Sequence, residues 1–203
     1  MKILICLLLF IKSYSFAQTN EQFIEWVKRK CDRQIELRLG EENFKNHVLQ
    51  NIEQSNVECI DGSNFTLSSD SIDCKINAAS IVYDIFIDEI KIYTITFVSD
   101  SIGNINCLGN SDWRYDLNGY KELINRNFPI DYKRACQIVK DNNYEPSEYE
   151  FELVHADPNI DDLKAYEWRG GKYLGNKITK AIYVNAFTGE FNEVLIQDVS
   201  DEN

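Results

Sequence analysis

His155, Asp157, Asp161 and Asp162 fall within the stretch VHADPNIDDL, an imidazole and three carboxylates close together in the chain. Carboxylate oxygens suit a hard cation, but their number and order match no established calcium loop. The expectation is a solvated acidic loop between strands, with no metal site assigned. His155 could also act as base to a Cys136 nucleophile. Cys136, however, lies on the apolar side of a helical pattern, where an inert core thiol is expected. Trp168, Arg169 and Tyr173 surround the basic, glycine-containing RGGK. Aromatic and arginine side chains anchor interfaces, which makes these three a candidate interaction tip. Plain hairpin packing is the alternative use of the same residues. Cys59 and Cys74 flank the polar run DGSNFTLSSDSID. They are a candidate disulfide that would clamp a loop, with buried thiols as the alternative. No Gly-x-Ser-x-Gly, Walker-type phosphate loop or His-Glu-x-x-His occurs. No CxxC occurs either, and the chain has only 2 histidines, so a zinc cage is not expected. No catalytic residue and no cofactor are assigned.

The elements that must position these residues alternate between helical and strand periodicity. TNEQFIEWVKRKCDRQI opens with a capping box, Thr19 and Gln22, and continues with Phe23, Val27, Cys31 and Ile35 at helical spacing. This predicts an amphipathic helix that covers a sheet. A second helix is expected through EENFKNHVLQNIEQ, where Phe44, Val48 and Ile52 are four apart. The densest β signal is SIVYDIFIDEIKIYTITFVSDSIGNINCL, with turns at Asp88-Glu89 and at Asp100 to Gly103. NGYKELINRNF reads as a short helix stopped by Pro129. IDYKRACQIVKDNNY starts another, with Asp131 as cap. Strands follow at SEYEFELV, LKAYEWRG, KITKAIYVNA and GEFNEVLI. The glycines after Arg169 read as a tight connection.

The first residues, MKILICLLLFIKSYSFAQ, combine Lys2, an apolar run from Ile3 to Ile11, and small residues at Ser15 and Ala17. These are the parts of a secretory signal peptide over residues 1–17. The run is too short for a bilayer span, which takes about 20 residues. The expected location is periplasmic or extracellular, with no membrane insertion after signal removal. The signal carries two lysines and no acid, so 19 of the 21 basic and all 33 acidic residues follow it, a net charge of −14. Such a chain is not expected to bind nucleic acid, because phosphate contacts need clustered Lys and Arg. Export permits disulfides. Five of the 6 cysteines follow the signal, an odd number, so at least one is free or pairs outside the chain.

Ile95 to Ile105 (ITFVSDSIGNI) can be set over Ala181 to Phe191 (AIYVNAFTGEF). Aromatic-Val coincides, the glycine coincides, and an apolar residue follows two places later. The pattern is that of two copies of one unit, or of two hairpins converging on the same turn chemistry. The expected fold class is α+β, two helix-on-antiparallel-sheet units over 18–117 and 118–203. Residues 129–195 resemble a PepSY domain. The resemblance rests on Ala135 in DYKRACQIV, Tyr166 in AYEW, and YVNAFTGEF at Tyr183 to Phe191. Asn185 stands where Asp is common, and Phe191 replaces a smaller apolar residue. It implies an exported, non-catalytic protein that binds a protein or peptide, such as a co-exported peptidase that it inhibits. The alternative is a small-ligand carrier or hydrolase-like domain on a helix-plus-sheet fold.

Overall fold

A computed structural model of the chain describes residues 19–69, 71–108, 113–156, 163–175 and 177–197. Helix α1 (Asn20–Leu39) starts at the Thr19 and Gln22 capping box. It buries Phe23, Val27, Cys31, Ile35 and Leu39, one stripe at 3.6-residue spacing. Phe23, Val27, Ile35 and Leu39 each contribute about 1.5–3 kcal/mol when removed from water. Gly40 (φ +89°) ends the helix, its N–H bonding the Glu36 carbonyl at 2.8 Å. Helix α2 (Glu41–His47) is shorter than its spacing suggests. Val48 leaves it to form β1 (Val48–Gln50), paired to Ile85 of a long central strand. Ladder pairing and burial of Val48 override a helical period that Ile52, still half-exposed, does not reinforce.

The first sheet adds β2 (Asn56–Cys59), β3 (Asn64–Thr66), β4 (Ile76–Ile87), β5 (Ile90–Asp100) and β6 (Ile105–Cys107). Its order is β3-β2-β4-β5-β6, with β1 beside β4. Ile81, Tyr83 and Ile85 of β4 point into the core with α1. Tyr83 donates to Asp32 Oδ1 at 2.6 Å. Asp88 (φ +48°) and Glu89 (φ +67°) make a two-residue left-handed turn between β4 and β5. The β5–β6 turn is pinned to α1: Lys30 donates to the Gly103 carbonyl at 2.7 Å, and the Trp26 ring occupies the space a Cβ at Gly103 would need.

Helix α3 (Trp113–Ile124) starts earlier than its sequence pattern suggests and packs against both α1 and the second sheet. Position 117, the expected end of the first unit, lies inside it. The second sheet is an antiparallel meander in the order β10-β9-β8-β7. Its strands are β7 (Glu150–His155), β8 (Tyr166–Gly175), β9 (Ile178–Asn185) and β10 (Phe191–Gln197). Helix α4 (Tyr132–Asp141), capped by Asp131, lies against β9. The architecture is α+β with helices on antiparallel sheets. Gly170 and Gly171 do not turn the chain. They run straight through β8, because Tyr149 and Phe151 press to 2.9–3.1 Å of where a Gly170 Cβ would stand.

The two sheets meet where strand edges lack partners. Tyr120 of α3 is fully buried between them. Its hydroxyl accepts the Leu153 N–H of β7 at 2.8 Å and donates to the Ile92 carbonyl of β5 at 3.4 Å. One phenol thus joins both sheets, and its ring stacks on Tyr93 at 4.6 Å.

Candidate recognition surface

Strand alternation assigns the second sheet two faces. Tyr166, Trp168 and Gly170 of β8 point toward the core, with Leu153, Ile182 and Val184 beside them. Arg169, Gly171 and Tyr173 point the other way, opposite Tyr183, Ala181 and Thr179 of β9. Val194 and Ile196 of β10 continue these rows, paired to Ala181 and Thr179. Among the described residues no helix covers this outer face.

The candidate tip therefore splits. Trp168 does not belong to it: the ring is fully buried, its Nε1–H bonds the Ile130 carbonyl at 2.9 Å, and Tyr132 meets it edge-on. Arg169 and Tyr173 remain outside. Tyr173 is 67% exposed. Arg169 pairs with Glu167 at 3.3 Å, and its guanidinium carbon lies 5.2 Å from the centre of the Tyr183 ring. A guanidinium positioned by an aromatic face has lost part of its freedom before any partner arrives.

The last strand carries what spacing did not single out. Val194, Leu195 and Ile196 are 48%, 65% and 46% exposed, three consecutive aliphatics on an edge strand. An edge of this kind is normally blunted by charge, proline or a bulge. The signal was present in the sequence as an unbroken VLI, which breaks polar alternation, but only the sheet order makes it an edge. Glu193 is the strand's one acid, and it is already engaged. Tyr144 hydrogen-bonds it, and Lys180 lies 3.0 Å away. Hydrogen bonds from Tyr144 and then Lys180 hold the Glu193 carboxyl below its usual range. Bonds to Tyr144 and then Glu193 push Lys180 up to about 12.

A cleft of about 680 Å³ opens between β5 and β7, lined by Lys91, Tyr93, Thr94, Tyr132, Phe151 and Arg169 among others. Its basic groups do not converge on one point: Lys91 pairs with the buried Asp84 at 3.7 Å and Arg169 with Glu167.

The other candidate groups fall elsewhere. Asp157, Asp161 and Asp162 lie outside the described residues. His155 is at the end of β7 with its ring edge-on to Tyr166 at 4.6 Å. Cys136 is hydrogen-bonded to the Tyr132 side chain, and burial raises its thiol pKa, the opposite of what a thiolate nucleophile needs. Cys59 and Cys74 are joined by a disulfide with Cα atoms 5.9 Å apart, closing the base of the loop that carries β3, between the end of β2 and the start of β4. Cys31, Cys107 and Cys136 are free thiols. No family model matches the chain, and no curated protein or solved structure is similar to it.

Proposed function

We propose that this is an exported, non-catalytic binding protein. It recognises a protein or peptide partner, such as a co-exported peptidase, on the outer face of its second sheet. The observation that carries this reading is the uncovered face itself. It aligns Tyr173, Tyr183 and Arg169 with Val194 and Ile196 in registered rows. Exposed aromatic and arginine side chains beside aliphatics are the composition of interface hot spots. The PepSY resemblance of 129–195 belongs to the same proposal, since α4 backs the meander that closes on the Tyr183 to Phe191 hairpin. The Cys59–Cys74 disulfide accords with an oxidising compartment. No helix of the described residues is long and apolar enough to cross a membrane.

The test places a photo-reactive amino acid at position 173 of the exported protein in its source cells. A discrete adduct is expected. Its partner, once purified, should bind the parent protein at least about tenfold more tightly than Arg169→Ala or Val194→Asp. If the partner is a peptidase, inhibition should saturate at one equivalent. Equal binding of parent and both variants would refute the assignment to this face. The inter-sheet cleft favours a second reading, a small-ligand carrier, because its volume is within the range of ligand sites. Phe151→Trp, which narrows the cleft, would then abolish binding that Val194→Asp leaves intact.

A further inference from the structure

The free edge of β10 is self-complementary. The Asn185 N–H bonds the Glu190 carbonyl at 2.9 Å, and the Ala186 N–H bonds the Tyr166 carbonyl at 2.9 Å. Both fix which backbone groups of β9 face which neighbour. With the β9–β10 register, Asn192, Val194 and Ile196 turn their N–H and C=O groups toward β9. Glu193, Leu195 and Gln197 turn theirs outward, and among the described residues no strand meets them.

We propose that this edge pairs with the same edge of a second copy of the chain, antiparallel, about a two-fold axis at Leu195. In that register Leu195 faces Leu195 of the copy, Glu193 faces Gln197, and Val194 faces Ile196. Every exposed aliphatic then meets an aliphatic, and no two like charges are opposed. About six backbone hydrogen bonds cross the axis. Shifting the axis to Glu193 opposes two carboxylates. Shifting it to Val194 sets Leu195 against Glu193 and Ile196 against Asn192. The Leu195-centred register is therefore preferred, and a closed two-fold contact uses up the edge. Glu193 does not oppose docking, since Lys180 and Tyr144 already compensate its charge. The two second sheets merge into one continuous sheet, so the outer recognition faces lie side by side. The pairing does not depend on what binds that face.

The net charge of −14 that remains after the expected signal is removed, 19 basic against 33 acidic residues, makes two copies repel at long range. Dimerisation should therefore strengthen with salt as the repulsion is screened. Sedimentation equilibrium of the exported protein from about 1 to 200 µM should show a monomer–dimer equilibrium, tighter in 0.5 M than in 0.05 M NaCl. Leu195→Pro removes one outward N–H and no β9 bond, and should weaken dimerisation at least about thirtyfold. Should that variant misfold, Leu195→Lys places two like charges on the axis and should have the same effect. Leu195→Cys with a short thiol crosslinker should give covalent dimer. The parent, which keeps Cys107 and Cys136, and Glu190→Cys should give little. A monomer throughout the range overturns the proposal, as does a dimer insensitive to Leu195→Lys or one that Leu195→Cys fails to crosslink. A monomer that still binds a Tyr173-dependent partner would leave the recognition face standing.

Discussion

Tyr120→Phe tests the joint between the two sheets. The substitution keeps the ring, its stack on Tyr93 and its volume, and removes one oxygen. Two bonds go with it: the 3.4 Å bond to the Ile92 carbonyl, which is long and contributes little, and the 2.8 Å acceptor for the Leu153 N–H. Leu153 is fully buried, so its amide cannot turn to water. An orphaned buried donor costs about 1–3 kcal/mol, partly offset because phenylalanine has no hydroxyl to desolvate. The expected loss is about 1.5 kcal/mol. For a chain of this size a urea m-value of about 2 kcal/mol/M turns that into a midpoint lower by about 0.7 M. Hydrogen exchange supplies the site-specific readout, since the Leu153 amide should lose more protection than its β7 neighbours. Tyr93→Phe is the comparison: its hydroxyl reaches the buried Asp116 carboxylate at 3.4 Å, so it should also cost about 1 kcal/mol, but it should leave the Leu153 amide as protected as in the parent. A Tyr120→Phe midpoint within about 0.1 M of the parent, with Leu153 still protected, would refute the hydroxyl's role as the link between sheets.

Replacing both Cys59 and Cys74 by Ser should cost about 3 kcal/mol in urea unfolding, from a closed loop spanning 15 positions. An unchanged midpoint would show the loop to be constrained by other contacts. Gly119→Ala should lower the thermal midpoint sharply, because its Cβ would sit 2.2 Å from the buried Tyr166 ring, and overpacking costs about 1–3 kcal/mol. Glu89→Gly should raise stability by about 0.5–1 kcal/mol, since Glu89 holds φ +67° in a turn that glycine enters without strain. The Glu193–Lys180 pair should hold β10 steady between the ordinary carboxyl value of 4.5 and the ordinary lysine value of 10.5. Glu193 is depressed, so its contribution goes as pH falls through its folded pKa. Lys180 is raised, so its contribution goes as pH rises through about 12. A carbon NMR titration in which Glu193 protonates at or above 4.5 would contradict this arrangement.

Local signals in this chain are strong where one element answers to one period. The capping box and five-residue stripe of α1, the Asp131 cap of α4 and the β4–β5 hairpin follow from spacing and turn chemistry alone, because their hydrogen bonds close within a few residues. Charge, composition and the apolar N-terminal run bear on compartment and partner class for the same reason: they are properties of the chain, whatever its path. The remaining features depend on pairs far apart in sequence. Val48 is strand and not helix because Ile85 lies across from it. Trp168 and Arg169 are adjacent in the chain, yet a strand sends them to opposite faces, one into the core and one onto the surface. Gly170 reads as a turn until Tyr149 and Phe151 are seen against it. The sheet order makes β10 an edge, and so leaves three ordinary aliphatics exposed, Val194 and Ile196 on one face and Leu195 on the other. Tyr120 looks like one aromatic among many until Ile92 and Leu153, 28 and 33 positions away, converge on its oxygen. Periodicity specifies which way a side chain leaves its own backbone, and only tertiary packing decides what stands there to meet it.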